Sequence, residues 1–116
     1  VLLHGDDPGL VHERAARLVA TVTGGDGLRL IEIGRDGARD PGLLAAEAAG
    51  ASLFAAGRRA VWVREATDAF AAGAEEALRG PGPGLVVLEA PGEGRSVQKL
   101  RRVLEPAAAG AVIACY

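Results

Sequence analysis

The sequence predicts a three-layer α/β sandwich built on a five-stranded parallel sheet. Three observations predict it: five short apolar runs, a helical period in each interval between them, and two late runs apolar enough to be covered on both faces. The runs are "VLLH" (1–4), "LRLIEI" (28–33), "AVWVR" (60–64), "LVVLEA" (85–90) and "AVIACY" (111–116), each of strand length. A chain of 116 residues is long enough to bury the core of one domain without disulfide or metal staples.

The elements follow in order. After the first strand, Asp7 is the helix cap, Pro8 takes the first helical position, and Val11, Ala15, Leu18 and Val22 form the inward face, while Glu13 and Arg17 pair outside at i, i+4. The second helix repeats the start signal with Asp40 and Pro41, turns Leu43, Leu44 and Ala48 inward, and ends near Gly50. The irregular piece "ASLFAAGRR" follows. A third helix from Asp68 to Arg79 carries Phe70, Ala74, Ala77 and Leu78, and stops at "GPGPG", where proline and glycine forbid continuation. The fourth starts at Ser96 as cap, faces Val97, Leu100 and Leu104 inward, and ends before Pro106. Strand order is not readable from periodicity.

Composition narrows the function classes. A formal charge of -2 supplies no long-range attraction for nucleic acid, so such contact would need a local patch. No apolar run approaches the roughly 18 residues of a membrane span. Cys115 is the only cysteine, which excludes an internal disulfide or a multi-cysteine metal site and suits a reducing compartment. It reads as a small core residue at a strand end. Lys99 is the only lysine among 13 basic side chains, a base-composition skew. The chain starts on strand residues without an initiator Met, as a piece of a longer protein would.

In a parallel α/β domain ligands bind beyond the carboxyl ends of the strands, which puts the turn "HGDDPGL" at the address of a phosphate loop. Its chemistry is wrong for one. The pattern G-x-x-x-x-G-K-S/T requires four residues between its glycines, but Gly5 and Gly9 enclose three, and Leu10 and Val11 stand where Lys and Ser or Thr belong. Asp6 and Asp7 put negative charge where a triphosphate would need a cation. They suggest an alternative, the acidic magnesium pocket of a receiver-like phospho-acceptor domain, but the partners fail: "VREATD" offers only Glu65 and then Asp68, which reads as the cap of the helix that follows, and no lysine lies near Tyr116. The simpler reading is a turn residue and a helix cap. Glu89 ends a buried strand as a Walker B carboxylate would, but without a phosphate loop it reads as a strand-end surface acid. His4 and His12 read as structural, no ligand spacing suggests a metal, and no Ser or Cys has a base beside it.

Four stretches taken together, "HGDDPGLVHERAARL", "SLFAAGRRAVWVREA", "LVVLEA" and "AVIACY", resemble in order the amino-terminal domain of the DNA polymerase III delta subunit family of bacterial clamp loaders. The resemblance implies a RecA-like AAA+ domain with a degenerate P-loop, no cofactor and no intrinsic activity, followed in the family by lid and collar domains absent from this stretch. It implies cytoplasmic work in DNA replication: binding and opening the beta sliding clamp beside the gamma/tau and delta prime subunits, and meeting primed DNA through the assembled complex. The implied clamp-binding residues are Leu53 and Phe54 after Ser52. From the residues alone, a Leu-Phe step in a chain so poor in aromatics reads first as core, with a compact apolar wedge as the alternative that the resemblance favours. Arg58 and Arg59, and Arg95, Lys99 and Arg102 on the polar side of the fourth helix, are candidate DNA or partner contacts that read otherwise as solvated charges. No interleaved aromatics offer a base-stacking platform.

Overall fold

The computed structural model describes residues 1–25, 27–49, 59–79, 84–91, 97–107 and 110–115. Strands β1 (Leu2–Gly5), β2 (Leu30–Ile33), β3 (Ala60–Val63), β4 (Leu85–Pro91) and β5 (Val112–Ala114) form one sheet, in the order β2-β3-β4-β1-β5 with every pairing parallel. Helices α1 (Pro8–Thr23), α2 (Leu43–Ala49), α3 (Ala71–Arg79) and α4 (Gln98–Leu104) connect them. The five-stranded parallel sandwich is thus as the sequence predicts, and its order is compatible with a RecA-like sandwich. The order excludes the arrangement of receiver domains, in which β1 lies between β2 and β3; here β1 lies between β4 and β5.

The two faces of the sheet follow from crossover handedness. From β1 the chain moves leftward to the far edge through α1, and from β2 onward every step moves back the other way. Because parallel crossovers are right-handed, reversing the direction puts the next helices on the opposite face. One core accordingly packs α1 residues Val11, Ala15 and Val19 on Leu3, Ala60, Trp62 and Val87. The other packs α2, α3 and α4 through Leu44, Ala74, Leu100 and Leu104 on Leu2, Val61, Val63 and Leu88. Each Val or Leu side chain so buried contributes about 1.5–3 kcal/mol, and the alternation of Leu2 and Leu3, or Val87 and Leu88, between the two cores is the period of two of a strand covered on both faces.

Local details differ from the periodic reading. The buried stripe of α1 is Val11, Ala15, Val19 and Thr23, with Leu18 and Val22 half-buried on its flank, because the helix lies on the sheet along its i, i+4 row. A 3₁₀ helix over Asp68–Phe70 precedes α3, capped by the Thr67 hydroxyl, which accepts from the Ala69 amide at 3.3 Å. Asp68 is therefore not the cap of α3. Its Oδ1 instead accepts from Lys99 N at 2.8 Å and Leu100 N at 3.1 Å, closing the amino end of α4. Ser96, the predicted cap, lies outside the described residues. The second helix also starts later than Asp40 and Pro41 predict: α2 begins at Leu43, Asp40 ends a preceding 3₁₀ helix, and its side chain accepts from Gly42 N at 3.0 Å within the intervening turn.

Candidate functional site at the carboxyl edge of the sheet

The turn after β1 is closed by its own residues. Asp7 has extended backbone and its Oδ1 accepts from Leu10 N at 3.1 Å, so the α1 amide that an anion would use is already taken by a carboxylate. Gly5 also has a packing explanation. A Cβ there would collide with the carbonyl oxygen of Cys115, which comes this close because Cys115 N donates to His4 O at 2.7 Å. The glycine is required by the neighbouring chain rather than by a ligand. Cys115 itself is buried, and Asp7 is the helix cap that its position predicts.

Glu89 is not the surface acid expected from its place at the end of β4. It is 5% exposed and bound on two sides. Trp62 Nε1, from β3, donates to Oε1 at 3.0 Å. His12 Nδ1, from the second turn of α1, lies 3.2 Å from Oε1 and 3.1 Å from Oε2. The imidazole also stacks on the indole, with centroids 5.4 Å apart and planes 23° from parallel, and the Arg64 guanidinium stands 5.3 Å from the Trp62 ring centroid. A buried carboxylate is tolerated only with such partners, and Trp62 can bury its ring on the α1 face only because the acid accepts its N–H. His12 and Arg64 remain half-exposed, so the cluster reaches solvent through these two side chains. Sequence signals for the cluster did exist: an acid inside an otherwise apolar run, and the only tryptophan of the chain, whose N–H must find an acceptor.

Beside this cluster a cleft of about 500 Å³ opens beyond β2, β3 and β4, lined by Glu32, Ile33, Gly34, Arg64, Glu65 and Glu89. Its carboxylates are met by arginines: Arg35 Nε lies 2.6 Å from Glu65 and Arg64 Nη1 lies 4.0 Å from Glu32. Three acids against one lining cation do not suit a phosphate. Among the described residues no group of three or more His, Cys, Asp or Glu could hold a metal ion. His4, buried at the end of β1, has its imidazole pKa held below the ordinary 6.5, first by burial and then by Arg101, with Glu105 opposing.

The predicted basic residues separate. Lys99 and Arg102 share one groove with Asp68, Ala72, Glu75 and Val103, where α4 lies against α3 at the carboxyl edge. Arg59 lies at the other edge, immediately before β3, with Nη1 at 3.4 Å from both the backbone oxygen and Oε2 of Glu47. Arg58 and Arg95 lie outside the described residues, as do Ser52, Leu53 and Phe54. Among the described residues no helix is long and apolar enough to cross a membrane. No protein-family model matches the chain, and no curated protein matches it significantly.

Proposed function

We propose that this chain is a clamp-loader domain of the delta-subunit type, a non-catalytic part that binds a ring-shaped sliding clamp and holds it open while neighbouring subunits supply ATP energy. The observation that carries the loss of motor chemistry is the Asp7 carboxylate on the Leu10 amide, which occupies with negative charge the helix end where a nucleotide-hydrolysing relative would cradle phosphate. Glu89, at a strand end where such an enzyme could use a free carboxylate, is instead committed to Trp62 and His12. The sheet order is compatible with the RecA-like scaffold on which that family is built.

The clamp-directed part rests on the resemblance around 52–64. In this reading Leu53 and Phe54 enter a pocket on the ring, and Ser52 precedes them. Such a domain need only bind the open ring better than the closed one, because a partner shifts an equilibrium only by differential affinity. The test is capture of a purified bacterial sliding clamp by the immobilised chain. Two buried side chains at about 1.5–3 kcal/mol each predict that Leu53→Ala with Phe54→Ala weakens capture by at least about a hundredfold, with unchanged circular dichroism. Equal capture by the parent and the double variant would refute the wedge. Saturable ATP binding by the chain alone would refute the loss of motor chemistry.

A further inference from the structure

We infer that the groove between α3 and α4 is a docking site for an acidic, amphipathic segment of a partner protein, a role separate from the clamp contact proposed above. The groove consists of two adjoining hollows of about 440 and 430 Å³ that share Glu75, Arg102 and Val103. Lys99 belongs to one hollow, Leu78 and Arg79 to the other. Together they follow α3, whose 9 residues give a trough roughly 13 Å long.

One wall carries charge that the fold leaves unanswered. Other arginines of these two helices are met by an acid of their own helix or its end: Arg79 by Glu76 at 2.7 Å and Arg101 by Glu105 at 3.2 Å. Lys99 and Arg102 are not. Both are exposed, and neither side chain forms an ion pair or hydrogen bond among the described residues; Asp68 takes only the Lys99 amide. At i, i+3 on α4 the two side chains are neighbours on one face, so they act as a paired cationic wall. Ala71, Leu78 and Val103 are half-buried and packed on the core beneath. An apolar strip beside two cations a helical turn apart is complementary to a segment with carboxylates at the same spacing around an apolar side chain.

The same groove is poorly matched to a nucleic-acid backbone. Glu75 is exposed within it and Asp68 lines the Lys99 end, so the potential changes sign along the trough, whereas evenly spaced phosphates need a run of cations. No aromatic side chain lines either hollow to stack a base. The half-buried floor is the part a phosphate chain would leave unused and a leucine side chain would cover.

The experiment titrates the full ¹⁵N-labelled chain with an acetylated and amidated peptide of about ten residues, long enough for the trough, that carries glutamates and leucines on an alanine background. The comparison probes are the same peptide with lysine for every glutamate, and single-stranded oligothymidylate. The glutamate peptide is expected to shift the amides of Ala72, Glu75, Lys99 and Val103 with a Kd below about 1 mM, and to bind more weakly as salt is raised. Lys99→Glu combined with Arg102→Glu should weaken it by at least about tenfold, because two attractions become repulsions, and should make the lysine peptide the better ligand at unchanged melting temperature. If the double variant fails to fold, Arg102→Glu alone is read the same way. Glu75→Gln should tighten the glutamate peptide. Equal binding of the two peptides by the parent chain would overturn the proposal, as would an affinity that charge reversal leaves unchanged or no shift in α3 and α4. Shifts of the same amides by oligothymidylate but not by the glutamate peptide would also overturn it and assign the groove to nucleic acid.

Discussion

Replacing Trp62 by phenylalanine tests whether the buried Glu89 is held as the geometry requires. Phenylalanine keeps an aromatic ring against His12 but deletes the Nε1–H that donates to Glu89 Oε1 at 3.0 Å. A hydrogen bond to a charged group contributes about 1.5–3 kcal/mol, and the smaller ring leaves some unfilled volume beside Val11 and Ala15, which adds roughly 1 kcal/mol. The expected loss is about 2.5–4 kcal/mol, read from urea denaturation followed by far-UV circular dichroism, since the substitution removes the only tryptophan. Packing and hydrogen bonding are separated by repeating the change in a Glu89→Leu background. There no acceptor is left for the indole, and Trp62→Phe should cost at least about 1 kcal/mol less, a coupling of the size expected for directly bonded side chains. His12→Ala should cost less than Trp62→Phe, because the imidazole side chain is 43% exposed and water can replace it on the carboxylate. The same cost for Trp62→Phe in both backgrounds would refute the bond between indole and carboxylate, and with it the account of why an acid is buried in β4.

Two further outcomes are expected. Asp68→Ala should destabilise the chain by about 1–2 kcal/mol, the size of a lost helix cap, because Oδ1 serves both the Lys99 and Leu100 amides; chemical denaturation measures it, and a loss below about 0.3 kcal/mol would deny the cap. Stability should fall as pH drops through 6.5, where an unfolded His4 takes up a proton that the folded, buried one resists, and the fall should level off below the depressed folded value. His4→Leu should flatten that part of the pH profile, and an unaltered slope would assign it to another group.

The Gly5 turn shows how a motif can be judged before any coordinates. Wrong spacing, a missing lysine and two aspartates already deny it the chemistry of a phosphate loop, and the Asp7 cap on Leu10 is local, three residues apart, so the sequence suffices to place it. The five strands and four helices were legible for the same reason: hydrophobic period and capping act between near neighbours. Errors arose where a residue's partner is distant. Glu89 looks like a surface acid until His12, 77 residues away, and Trp62, 27 residues away, come to it. Asp68 looks like the cap of the helix that follows it, and instead caps one 31 residues on.

By itself, then, the sequence determined the class of fold, the kind and succession of its elements and the lack of a cation in the turn after β1, since each is written in short-range pattern and composition. The order of the strands, the burial of Glu89 and the service of Asp68 to α4 were decided only by tertiary structure. The physical reason is that parallel pairing and crossover handedness bring together groups whose separation along the chain leaves no periodic trace, and a polar side chain's role is set by whichever partner reaches it.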